Sequence, residues 1–259
     1  VLVGVTVPQF RHDAEAAVAV ARRAEAAGLD GVFVFDHLWP IGQRMRPALH
    51  STTLLGAIAV ETERVTLGTL VARVGLVPDA VLVHSLVSLH RMVGGRLVAA
   101  LGTGDSLNRE ENEAYGVPFA PVGERVAALV DCCRRLRAAG VTTWVGGRSA
   151  AIREVAAAEA DGWNGWAIDA GTFAAQAPSG PELTWGGQVL IGRTRAEADA
   201  KLRAHGARTG LVSGTVDDLR AHLDALAAAG ATWAVCAPLD VGTDPGAVEM
   251  LSEAAAAYR

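Results

Sequence analysis

The chain reads as an α/β protein, a single (β/α)8 barrel of the TIM type running through residues 1–259. Three observations predict this. Short apolar runs alternate with longer amphipathic stretches, the runs number eight, and they show little polar alternation, as parallel strands covered on both faces require. Eight strands in a chain of this length favour closure over an open doubly wound sheet.

The runs fall near residues 2–7, 31–35, 65–71, 97–101, 143–146, 162–168, 186–191 and 232–237. Between the first two, Ala17, Val20, Ala21 and Ala24 mark one helical stripe, with Gly28 as its C-cap. The fifth run enters an alanine-rich helical stretch at Ala150. The repeat is weakest between the sixth and seventh strands, where Asp169 to Trp185 contains Gly, Pro and Ser and leaves room for only a short helix. That region reads as a shortened connection. Trp144, Trp163, Trp166, Trp185 and Trp233 lie in or beside strands and read mainly as core.

Composition excludes several function classes. Apolar residues make up 51% and charged residues 20%, which suits a globule and not a disordered chain. The formal charge of −5 argues against a nucleic-acid binder. No apolar run reaches the roughly 20 residues that cross a bilayer. The opening residues Val1 to Val5 carry no secretory signal, so a cytoplasmic location is expected. Cys132, Cys133 and Cys236 match neither a disulfide framework nor a zinc pair. His84 and His90 stand six apart on one helix, a spacing that does not suit a metal, and the other histidines do not cluster at strand ends, so no metal site is expected. A Schiff-base aldolase needs a lysine at the barrel mouth, and the only lysine, Lys201, falls in a peripheral helix.

Reactive groups in such barrels sit at the C-terminal ends of strands. Strand two runs out into Asp36-His37-Leu38-Trp39-Pro40. Asp36 could cap a turn and His37 lie exposed; alternatively His37 transfers protons, since histidine alone titrates unperturbed near neutrality. Trp39 is the tryptophan suited to lie against a ligand ring. Strand four ends in Leu101-Gly102-Thr103-Gly104-Asp105-Ser106-Leu107-Asn108, whose glycines let backbone N–H groups approach an anion, although neither a dinucleotide fingerprint nor a P-loop is present. Strand five ends in Gly146-Gly147-Arg148-Ser149, which is either a phosphate seat at a helix N-terminus, with Arg148 adding a charged fork, or a tight βα turn. Glu110, Glu111 and Glu113 read as a solvated acidic face.

Asp36-His37, the Leu67-Gly68-Thr69-Leu70-Val71 strand, Leu101 to Asn108, and Gly146-Gly147 with Ala-Asp-Gly-Trp-Asn-Gly-Trp at 160–166 occur in this order at the predicted strand ends. Together they resemble the luciferase-like monooxygenases, specifically the branch that uses the deazaflavin coenzyme F420, over nearly the whole chain. The resemblance implies a deazaflavin across the barrel mouth, backed by a strand-three bulge with a non-prolyl cis peptide at Leu70-Val71. It further implies cofactor contacts from Asp36, Thr103, Gly104 and Asn108, with Arg73, Gly146 and Gly147 nearby, and proton handling by His37 and Asp105. The activity implied is hydride transfer between the deazaflavin and a small organic substrate.

Departures bear on the substrate. The branch that oxidises a sugar phosphate has a glutamate where Asp105 stands and a tryptophan where this chain has Ile41. Asp105 is then a shorter-reaching acid or a structural cap, and a sugar-phosphate substrate is not expected. Alternative readings are an FMN-dependent monooxygenase using O2 on the same fold, and a barrel that binds a cofactor without turnover. A homodimer is implied by the family alone.

Overall fold

The computed structural model describes residues 1–259. Its parallel strands are β1 (Leu2–Thr6), β2 (Gly31–Val34), β3 (Thr66–Thr69), β4 (Ala72–Arg73), β5 (Leu97–Gly102), β6 (Thr142–Gly146), β7 (Gly162–Trp166), β8 (Glu182–Gly192), β9 (Val212–Thr215) and β10 (Trp233–Pro238). The helices are α1 (Glu15–Ala26), α2 (Ser51–Ala59), α3 (Asp79–Met92), α4 (Arg109–Ala114), α5 (Val122–Ala138), α6 (Ala150–Glu159), α7 (Ala170–Gln176), α8 (Arg195–His205), α9 (Val216–Ala228) and α10 (Ala247–Ala255). Pairing runs β10-β1-β2-β3-β5-β6-β7-β8, and β10 returns to β8, so the ring closes as an eight-stranded barrel. No helix is long and apolar enough to cross a membrane.

Strand three is split. β3 stops at Thr69, the Leu70-Val71 peptide is cis as the resemblance implies, and pairing with β5 resumes at Ala72. β8 begins four residues before the expected run at 186, because Glu182 to Trp185 pair with β7. Pro181 and the glycines around it concealed this start. The shortened connection before it holds the seven-residue α7, whose first turn is capped by Asp169 accepting Thr172 N–H at 2.9 Å. β9 extends the far end of β8 outside the barrel, and its Val-Ser-Gly-Thr sequence is too polar to register as an apolar run.

The core divides into two layers. One large cluster packs outward-facing strand residues such as Val5, Val32, Trp163 and Trp185 against the helices; buried Cys132, Cys133 and Cys236 belong to it. A small cluster fills the barrel itself: Phe33, Leu70, Val98, Ala100, Trp144, Trp233 and Val235. Phe33 stacks on Trp144 at 5.8 Å between centroids, and both meet Trp233 edge-on at 5.9 and 5.7 Å. Three aromatic rings fit here because small residues surround them. A Cβ on Gly4, Gly31 or Gly68 would stand 2.8, 2.7 or 2.4 Å from the Phe33 ring.

Outside the barrel, Lys201 reaches from α8 to the carbonyl of Ile191 at 2.7 Å and to Asp240 at 2.9 Å, and also pairs with Asp244. It ties α8 and the end of β8 to the loop after β10.

The ring and glycine complement generates a double-mutant expectation. Gly68→Ala should destabilise the fold by about 1–3 kcal/mol through overpacking, and Phe33→Leu introduced with it should recover part of that loss. Chemical denaturation of the two single variants and the double variant measures this; strictly additive losses would contradict the contact.

Candidate active site

The strand ends converge on one buried carboxylate, Glu111 of α4, which is only 2% exposed. Its Oε1 accepts Leu38 N–H at 2.8 Å, and its Oε2 accepts Arg73 Nη1 at 2.8 Å and Asn108 Nδ2 at 3.2 Å. His37 Nδ1 lies 3.1 Å from Oε2. A carboxylate only accepts, so Nδ1 carries a proton and Nε2 is the nitrogen left for chemistry. Burial works to raise the Glu111 carboxyl, but the His37 hydrogen bond and charge, Arg73 and Leu38 N–H outweigh it and hold it at about 2 against an ordinary 4.5.

This corrects the sequence reading of Glu111 as part of a solvated face. Glu110 and Glu113 are exposed, whereas Glu111 and Asn112 are buried. Asn108, Glu111 and Asn112 recur at helical spacing, a signal that separates the inward side of α4 from its outward side.

Asp36 is buried beneath this network. Its Oδ1 accepts Ser51 Oγ–H at 2.7 Å and its Oδ2 accepts Arg73 N–H at 2.8 Å, so it clamps the chain just after the strand-three bulge. Arg73 is 3% exposed, and its Nε and Nη2 have no partner within the chain.

The bulge forms the floor of the mouth. Val71 occupies the space where a Cβ on Gly102 or Gly146 would fall, at 2.5 and 2.6 Å. The floor is therefore an apolar side chain walled by glycine backbone. Beside it, Gly104 has φ 66° and a Cβ there would meet Arg73 at 2.8 Å. Thr103 is buried, and the carbonyls of Thr103 and Gly104 accept Arg125 Nη1 at 2.6 and 2.8 Å. Sequence reasoning missed Arg125, which sits in the first turn of α5 with no motif to mark it.

Across the floor, Gly147 leads to Ser149, the N-cap of α6, whose Oγ accepts Ile152 N–H. The first-turn N–H groups of α6 have no intrahelical acceptor, as at any helix start. Arg148 is exposed beside them. Trp166 stands edge-on to Phe35 at 5.7 Å on the remaining side of the mouth.

Two expected residues take less central positions. Asp105 is exposed and caps a short 3-10 turn at Ser106–Asn108, its Oδ1 accepting Leu107 N–H at 2.8 Å while Asn108 Oδ1 accepts its own N–H. Trp39 is buried in the loop after β2, stacked on Tyr115 at 6.0 Å with the Arg44 guanidinium 5.7 Å from its ring centre. His37, Asp36, Arg73, Asn108 and the Leu70-Val71 bulge come together as one unit, with Thr103 and Gly104 alongside. No group of three or more His, Cys, Asp or Glu side chains is placed to hold a metal ion.

A flat ring with an anionic tail fits this arrangement. The glycine-walled Val71 floor would suit a ring face, and the orphaned Arg73 donors and the first-turn N–H groups of α6 would suit acceptor oxygens.

The depressed Glu111 carboxyl sets a pH expectation. A carboxyl held lower in the folded state stabilises above its unfolded value of about 4.5 and loses that contribution as pH falls towards about 2. At neutral pH this amounts to about 3 kcal/mol. Glu111→Gln should lower the melting temperature by roughly 5–10 °C at pH 7, and the gap to wild type should narrow between pH 5 and pH 3. A gap of constant size across that range would mean that the ionised carboxylate is not what holds the network.

The luciferase-like monooxygenase family model matches residues 3–234. An F420-dependent glucose-6-phosphate dehydrogenase of Intrasporangium calvum is 35% identical over 120 residues, covering 44% of this chain and 35% of that protein. The chain thus matches about a third of the length of such curated relatives. An F420-dependent secondary alcohol dehydrogenase, solved with an F420-acetone adduct, superposes with a TM-score of 0.81 at 16% identity over 99% of this chain and 98% of that one. A riboflavin lyase, solved with modified FMN and riboflavin, gives 0.79 at 13% identity over 99% and 90%. The two structures share the fold, and the family match over most of the chain fixes the assignment: this protein belongs to the luciferase-like monooxygenase family.

Proposed function

We propose that this chain is an F420-dependent oxidoreductase that transfers a hydride between the deazaflavin and a small organic substrate. The observation that carries the reading is the His37–Glu111 pair beside the glycine-walled Val71 floor. The F420-dependent dehydrogenase relatives support the deazaflavin over FMN.

When bound, the deazaflavin supplies or accepts the hydride. The protein residues hold it and manage protons. Leu70 and Val71 would back the ring, with Gly102 and Gly146 leaving room for the Val71 side chain. Gly146, Gly147 and Arg148 at the α6 N-terminus would hold an anionic group on its tail. Arg73, Thr103, Gly104 and Asn108 would line the ring edge, and Asp36 keeps Arg73 in register. Trp39 closes the loop side of the mouth.

His37 Nε2 gives a proton to the substrate oxygen during reduction, or takes one during oxidation. Glu111 holds the other ring nitrogen, fixing the tautomer and compensating the imidazolium. With its carboxyl at about 2, Glu111 stays ionised across any ordinary assay range and does not itself shuttle the proton. Asp105, exposed at the rim, serves as the outer acid or base.

Titration with oxidised F420 and separately with FMN, read by visible absorbance and fluorescence, tests the cofactor. Micromolar F420 binding with little response to FMN is expected. FMN preference would move the protein to the oxygen-using branch, and binding of neither would sink the hydride-transfer reading. His37→Ala should keep F420 affinity while lowering turnover of a screened substrate by about 10²–10⁴-fold. Unchanged turnover would remove His37 from proton transfer.

A further inference from the structure

We propose that the cavity between the ends of β1, β2, β8 and β10 holds the substrate by an oxyanion, a carboxylate or a phosphate ester, through Arg11 and Arg46. The word substrate rests on the oxidoreductase reading; the anion site does not.

The cavity encloses about 260 Å³. That is just below the ~300 Å³ at which pockets for drug-sized ligands begin, so it suits a small metabolite. Its polar lining includes Thr6 and Gln188, and Phe10, Phe35 and Pro238 form apolar walls. Arg11 and Arg46 line it and also an outer groove shared with His12 and Asp13, so they stand between the cavity and solvent.

Both guanidiniums are held by neutral oxygens and neither is paired with a carboxylate. Arg11 Nη2 donates to Gly242 O at 2.7 Å, while Arg46 Nη1 donates to Gln43 Oε1 at 3.0 Å and its Nη2 to Phe10 O at 3.4 Å. Each keeps free N–H groups in a preset orientation. Of the nearby acids, Asp240 and Asp244 pair with Lys201, and Asp13, whose Oδ1 accepts Glu15 N–H, lines the outer groove without ion-pair contact to either arginine. Two guanidiniums that form no ion pair therefore border one small cavity, and planar forks suit carboxylate and phosphate oxygens.

Position supports the same conclusion. In the ring order, β1 lies four strands from β6, so this cavity faces the Gly146–Gly147 turn from across the mouth. The two anion-favouring ends are separate, with the Val71 floor between them. Phe35, which lines the cavity, directly precedes Asp36 and His37 on the same strand end. A substrate anchored at Arg11 and Arg46 thus extends from the His37 side of the mouth.

Isothermal titration of the whole chain with inorganic phosphate and separately with succinate, at low ionic strength and with and without saturating F420, tests the proposal. Wild type should bind at least one of them with F420 present, and that one identifies the head group. Arg11→Met and Arg46→Met should each weaken it about tenfold or more, with F420 affinity unchanged. Because Arg46 is exposed, its replacement leaves the core intact even if loss of the Arg11–Gly242 contact disturbs the loop. Failure of both anions to bind, or binding that neither substitution weakens, would overturn the site. A chain that binds an arginine-dependent anion but no F420 would overturn the oxidoreductase reading and leave the anion site standing.

Discussion

The order of the barrel mouth depends on the ion pair between Glu111 and Arg73. Their atoms meet at 2.8 Å with almost no solvent contact. Such a pair is not in itself a strong stabiliser, because removing both ions from water offsets much of their attraction. Its value here lies in what converges on it. Glu111 gathers donors from the loop after β2, from β4 and from the turn before α4, so one carboxylate sets the spacing of three strand ends. Asp36 adds a second clamp on Arg73 from below. His37 inherits its orientation from this assembly, and a base is useful only where its free nitrogen is held in place.

Volume complementarity does the corresponding work inside the barrel. Large rings face glycines below, and Val71 faces glycines above. The lower arrangement excludes water and stiffens the barrel; the upper one leaves a surface low enough for a planar ligand. The same rule of large against small thus yields a packed core at one depth and an apolar floor at the next.

Much of this was legible in the sequence because the barrel strands are buried on both faces and leave continuous apolar runs. Asp36-His37, Gly102 to Asn108 and Gly146-Gly147 stand at strand ends, where chain position alone indicates the mouth. β9 was not legible, since four residues pairing outside the barrel need no apolar run. Glu111 was misread because three glutamates in four positions look solvated unless helical phase is followed. Arg11 and Arg46 gave no local signal: their shared cavity depends on β1 and β10 meeting, a contact between residues more than two hundred positions apart.

The Lys201 cluster has a chemical consequence. Burial disfavours the ammonium, but Asp244 and Asp240 outweigh it and keep the group above the usual lysine range. Acylating reagents attack only the free amine. The one ε-amino group in the chain is therefore shielded while the loop after β10 stays docked, and its labelling rate becomes a clock for that loop's opening, uncrowded by signals from any other lysine.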